Sequence, residues 1–159
     1  MSDEEQIDLI NKEAIEPVVQ WLTFMLAEEH YGMKVTKVQE VLRYVTIAPV
    51  PGAADFVLGI INLRGNVVTV IDARARFGMP TADISDLTRI IILEIEGQII
   101  GVLVDSVSEV IDLKDDEVES APESNDETSM FIQGIAHKND KLHILIDLDR
   151  LMSDEDLNG

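Results

Sequence analysis

The chain has no cysteine, and only 4% of its residues are aromatic. Without cysteine there are no disulfides, thiolate metal ligands or cysteine nucleophiles, which accords with a reducing compartment. With so few aromatics the interior has to be built from Ile, Val and Leu, side chains that suit pleated sheet. Basic charge is also scarce: 12 Lys and Arg stand against 31 Asp and Glu, a formal net charge of −19. Such a surface repels phosphate backbones and anionic lipid, so nucleic acid is not an expected partner. The acid concentrates at 3–5, 112–119, 123–127 and 154–156, which read as solvated tails and loops that keep the protein soluble. No apolar run approaches the roughly 18 residues that span a bilayer. Met1 leads into Ser2, Asp3, Glu4 and Glu5 rather than a basic and then apolar leader. The expectation is a soluble cytoplasmic protein with no direct membrane insertion.

Motifs of catalysis are missing as well. His30, His137 and His143 are the only imidazoles, and no spacing sets two of them on one metal. No G-x-S-x-G elbow presents a nucleophilic hydroxyl, the glycines are too scattered to cradle a phosphate, and the acidic runs lack the order of a calcium loop. Neither a metal nor another cofactor is expected. Asp72 and Asp147 are the carboxylates nearest to a catalytic pair, but they occupy equivalent strand ends of an internal repeat, where a turn or barrel closure is the simpler role.

That repeat is the chief positive feature. Residues 31–41 align with 100–110 at an offset of 69, matching Gly32 with Gly101, Val38 with Val107, Glu40 with Glu109 and Val41 with Val110. Ala48 and Pro49 match Ala121 and Pro122. Residues 56–77 then align with 131–152 at an offset of 75, matching Phe56 with Phe131, Gly59 with Gly134 and Asp72 with Asp147. Self-similarity in one order along the chain indicates two versions of one supersecondary unit, each too small to bury its apolar face alone. The two halves are expected to pack together.

Each half reads as five short strands. In the first they are predicted at 20–27, 30–35, 40–47, 56–63 and 66–72, with turns at Glu28-Glu29 and Arg64-Gly65 and a helical turn at 36–39. In the second they fall at 90–95, 98–104, 109–113, 131–138 and 141–147, turning at Glu96-Gly97 and Asn139-Asp140. Hairpins without crossover helices argue against a parallel sheet, and curling into a small barrel protects the strand edges. The expected fold class is therefore all-β: two barrels side by side, one over about 20–80 and the other over about 88–148, within a single domain of 1–159. Segments 1–17 and 149–159 are expected to be short helices or flexible ends, with an amphipathic stretch at 7–15 and helical turns at 148–152 and 153–157. The polar stretch 115–129 reads as a mobile loop.

One hairpin tip stands apart. Ile61, Asn62, Leu63, Arg64, Gly65 and Asn66 of the first half become Ala136, His137, Lys138, Asn139, Asp140 and Lys141 in the second. A leucine beside an arginine on a tight turn is a rigid binding element, fixed before a partner arrives.

The run Lys37-Val38-Gln39-Glu40-Val41, the segment from Val57 to Gly65, and Val67 to Asp72 followed by Arg74 and Phe77-Gly78 resemble the CheW-like family of bacterial chemotaxis coupling proteins. The resemblance runs from about Gln20 to Met152. It implies a noncatalytic adaptor of two pseudo-symmetric, five-stranded SH3-like barrels sharing a hydrophobic seam. The implied partners are the cytoplasmic tips of chemoreceptors, the regulatory domain of the histidine kinase CheA, and other coupling proteins of an array. By motif, Glu40 and Arg64 match an acidic and basic pair of the receptor-facing region, within salt-bridge reach of each other. Val38, Gly59, Ile61, Asn62, Leu63 and Gly65 line that region in the resemblance, and Val107 and Val110 face it from the second barrel. Leu42, Tyr44 and Ile47 are the implied kinase contacts. A coupling protein of a type IV pilus or another receptor-kinase array would carry the same motifs.

Overall fold

The computed structural model describes residues 17–121 and 130–151. The predicted helices at 7–15 and 153–157 and most of the acidic stretch lie outside them. Four tight hairpins account for eight strands: β1 (Val18–Leu26) with β2 (Glu29–Lys34), β4 (Val57–Leu63) with β5 (Asn66–Asp72), β6 (Arg89–Ile95) with β7 (Gln98–Val104), and β10 (Ile132–Lys138) with β11 (Lys141–Ile146). Between them run β3 (Val38–Arg43), β8 (Ser106–Lys114) and the short β9 (Val118–Glu119). Both central residues of every hairpin turn have positive φ, from Ala27 and Glu28 to Asn139 and Asp140, the geometry that matches the right-handed twist of flanking strands.

One sheet has the order β3-β6-β7-β5-β4 and the other β8-β1-β2-β11-β10-β9. The first closes on itself when Ala48, downstream of β3, pairs with Ile60 through bonds of 2.9 and 2.8 Å. The second closes in the same way, β9 following β8 and pairing with β10. The fold is thus the expected pair of small all-β barrels. Their composition differs from a division at 20–80 and 88–148: the β1–β2 hairpin belongs to the barrel of the second half, and β6–β7 to that of the first. Where exchanged hairpins meet their hosts, strands run parallel, as β5 with β7 and β2 with β11. Parallel pairs need long connections, and these have them because the partners come from different halves.

Local departures have local causes. The first turn falls at Ala27-Glu28, one residue before Glu28-Glu29, because the Asp105 carboxylate accepts the Ala27 N–H at 2.9 Å. β3 ends at Arg43 instead of reaching Ile47, and the predicted turn at 36–39 is a 3-10 turn at Val35–Lys37. Part of the supposed loop at 115–129 is ordered: a 3-10 turn, Asp115–Glu117, is pinned where Glu117 accepts the Lys114 N–H at 3.0 Å and the Lys138 ammonium at 3.1 Å. Glu119 pairs with Ile135 as Ala48 pairs with Ile60, so Glu119 and not Ala121 is the counterpart of Ala48.

Apolar residues divide into three clusters. Ile61, Val68, Val70, Ile90, Ile92 and Leu103 fill the first barrel, and Trp21, Ile111, Leu113, Ala136 and Leu145 the second. The largest cluster lies between the barrels and holds Phe24, Tyr31, Phe77 and Phe131 in a chain of ring contacts 5.5 to 5.8 Å apart. The few aromatics are thus concentrated where two curved sheets meet and large flat side chains fill the gap.

His143 occupies the repeat position of Val68 and is 1% exposed. Neither of its ring nitrogens has a hydrogen-bond partner among the described residues, and its neighbour across the parallel pair is His30, edge-on at 5.6 Å. Burial first, and the His30 imidazole second, hold its pKa below 6.5. A folded-state value below the unfolded one means that stability is full at neutral pH and falls as pH drops below about 6.5, where only the unfolded chain takes up the proton. Denaturation between pH 7 and 5 is expected to show this loss, and His143→Leu to flatten it; equal slopes in the two proteins would disprove the assignment.

Candidate functional site

The distinctive hairpin is fixed from within. Arg64 and Gly65 turn the chain with φ of +49° and +87°, and the Asn62 side chain accepts the Gly65 N–H at 2.9 Å. Glu40 reaches this tip because barrel closure brings β3 and β4, the terminal strands of their sheet, edge to edge. The Arg64 guanidinium donates to Glu40 Oε2 at 2.6 Å. That bond raises the Arg64 pKa, keeping the cation charged at any working pH. The Arg64 side chain is 70% exposed and that of Glu40 29%. An ion pair so open to solvent orients the tip more than it stabilises the fold.

The remaining expected residues do not form one surface. Asn62 and Gly65 are exposed at the tip beside Arg64, whereas Gly59 is buried in a bulge of β4 and Ile61 is 5% exposed inside the first barrel. Leu63 is half-buried and packs against the same interior. Val38 and Val107, equivalent in the repeat, both pack against the inter-barrel cluster, and only Val110, 50% exposed, presents its side chain to solvent. Leu42 and Ile47 lean on the first barrel's interior, which leaves Tyr44 as the exposed member of that trio. Exposed valines outside the expected set include Val41 and Val67. Val41 is the repeat partner of exposed Val110, a signal available from the offset of 69, and Val67, 68% exposed, rims a groove of about 430 Å³ with Leu63, Arg64 and Ile99.

The CheW-like domain family matches residues 20–156. This chain belongs to that family. It is similar to chemotaxis protein CheW of Klebsiella aerogenes, 32% identical over 150 residues that cover 93% of this chain and 90% of that one. Chemotaxis protein CheW of Bacillus subtilis is 35% identical over 135 residues, 84% of this chain and 86% of that protein. The crystal structure of the scaffolding protein TtCheW from Thermoanaerobacter tengcongensis superposes with a TM-score of 0.80 at 39% identity, covering 88% of this chain and 91% of that one. The family consists of noncatalytic chemotaxis scaffold proteins, so this CheW-like chain is a scaffold and not an enzyme.

Two further features of this CheW-like protein follow from its repeat. Asp72 and Asp147 cap short helices, Asp72 accepting the Arg74 N–H and Asp147 the Asp149 N–H, both at 3.0 Å. Burial raises the Asp72 pKa, and the role is the structural one expected. Glu109 and Asn139, the counterparts of Glu40 and Arg64, also face each other, Asn139 donating to Glu109 at 3.5 Å. The Thr23 hydroxyl holds the Glu109 backbone through its carbonyl at 2.8 Å and its N–H at 3.0 Å. Both barrels therefore carry the same contact at these two positions, ionic in the first (Glu40–Arg64) and between a carboxylate and a neutral amide in the second (Glu109–Asn139). Among the described residues no group of three His, Cys, Asp or Glu side chains is placed to hold a metal ion, and no helix is long and apolar enough to cross a membrane.

Proposed function

We propose that the protein couples the cytoplasmic tips of chemoreceptors to the regulatory domain of the histidine kinase CheA, with the Arg64 hairpin facing the receptor. The carrying observation is the Glu40–Arg64 pair, a 2.6 Å ion pair that holds an exposed cation on a preformed turn of a strongly acidic protein. Asn62 and Gly65 are exposed beside it, and Val110 adds an exposed apolar side chain on the second barrel. Tyr44 anchors the kinase contact, with Leu42 and Ile47 supporting it from below. The protein then works in the cytoplasm at receptor arrays, held there by protein contacts alone. No group is transferred. By holding both partners in one geometry it lets the receptor's conformational bias shift the kinase's equilibrium.

Reconstitution tests this reading. Receptor and kinase mixed without the protein are expected to show kinase activity indifferent to receptor ligand, and adding the protein should restore ligand control. Activity that does not change on addition would refute the coupling role.

A further inference from the structure

One cation lies between aromatic rings of the two barrels. Arg76 ends the four-residue helix Ala73–Arg76 that follows β5, and its guanidinium carbon lies 4.5 Å from the Phe56 ring centroid and 4.6 Å from that of Phe131. Those rings are counterparts in the repeat. Phe56 leads into β4 of one barrel and Phe131 into β10 of the other. Their carbonyls are held alike, that of Phe56 by the Asp72 N–H at 2.8 Å and that of Phe131 by the Asp147 N–H at 2.7 Å. Arg76 Nε then donates to the carbonyl of Leu151 at 2.9 Å. Leu151 stands 75 residues after Arg76 and is its own repeat counterpart. One guanidinium thus contacts two aromatic rings that are equivalent in the repeat and bonds to its own counterpart.

We infer that Arg76 is a positioning residue that holds the angle between the barrels, and so the spacing of the partner-binding surfaces they carry. The inter-barrel cluster is aliphatic and aromatic, and apolar contact is non-directional, so resistance to a small rotation of one barrel on the other falls to the polar contacts across the seam: the Arg74–Asp105 ion pair, with Asp105 accepting the Ala27 N–H, the exposed Lys37–Asp149 pair, and Arg76. A planar cation between two rings is directional, because it gains most when it lies over both faces and its N–H points at one carbonyl. The Arg64 tip belongs to the first barrel and Val110 to the second, so a partner touching both reads this angle. The consequence for signalling rests on the coupling function above; the geometry does not.

Because the chain lacks cysteine, Thr46→Cys on the first barrel and Lys141→Cys on the second give a unique pair of spin-label sites, both exposed. With wild-type Arg76 a single narrow distance distribution is expected. Arg76→Leu keeps the apolar contact and removes the cation, and it should displace or broaden that distribution. Binding of the isolated kinase regulatory domain, whose proposed contacts lie on the first barrel alone, should stay unchanged, while receptor-fragment binding weakens and ligand control in the three-component assembly falls about tenfold. Arg76→Gln, which keeps a planar donor for the Leu151 carbonyl without the charge, decides the matter if the leucine variant does not fold. A wild-type distance distribution in whichever of these variants folds overturns the inference. Failure of the wild type to confer ligand control would refute the coupling function instead, leaving the distance result intact.

Discussion

Gly59→Ala is expected to lose about 4 kcal/mol of folding stability, enough to unfold much of a small domain at physiological temperature. Gly59 has φ of +148°, a region closed to side chains at a cost of about 1–3 kcal/mol. A Cβ built there would stand 2.0 Å from the Ala48 carbonyl oxygen, which cannot persist beside the two Ala48–Ile60 hydrogen bonds that close the first barrel. Losing both adds about 1 kcal/mol each. Gly65→Ala is the control: φ is +87°, but nothing lies within 4 Å of the added carbon, so the loss should be only about 1 kcal/mol. Urea denaturation separates the two. Wild-type stability in Gly59→Ala would mean that the bulge against Ala48 is absent in solution. Any loss of coupling in that variant would reflect an open barrel and not a missing contact, which takes Gly59 off the receptor-facing surface.

Arg64→Glu should do the reverse, reducing ligand control of the kinase at least about tenfold while the melting temperature stays within about 2 °C of wild type. The turn accepts glutamate: Glu96 occupies the same place before Gly97 in another hairpin, at φ +51° against +49° for Arg64. Removing so exposed a cation leaves no buried charge unpaired, and the new carboxylate repels Glu40 and tips the hairpin outward. Combining it with Glu40→Arg restores an ion pair of opposite polarity. Ligand control is expected to stay low in the double variant, because the partner meets the exposed member of the pair and that member is now an acid. Full recovery would show that the pair only orients the turn; unfolding of Arg64→Glu alone would show that Arg64 is structural.

Much of the architecture was legible before any tertiary contact was known. β-branched runs bounded by turn residues marked nearly every strand, and three of the four hairpin turns fell where expected, at Arg64-Gly65, Glu96-Gly97 and Asn139-Asp140. The fourth moved one residue because its N–H binds Asp105, a residue 78 positions away. The Glu40–Arg64 pair was anticipated from the motif, and its 2.6 Å geometry required only that the barrel close. The side chains around it were harder to place. Ile61 and Leu63 share a hairpin with the exposed tip, but alternation along a strand says that residues two apart share a face without saying whether that face points into a barrel.

By itself the sequence determined the all-β class, the hairpins, the duplication and the family, because turn chemistry and period-two patterning act between near neighbours and survive in any surroundings. Which hairpin joined which barrel was decided only in three dimensions. A strand edge offers the same N–H and C=O groups to every other strand, so the exchange of β1–β2 for β6–β7 was settled by the fit of Phe24, Tyr31, Phe77 and Phe131 between the sheets, with Arg76 clasped by the two pseudo-equivalent rings beside them.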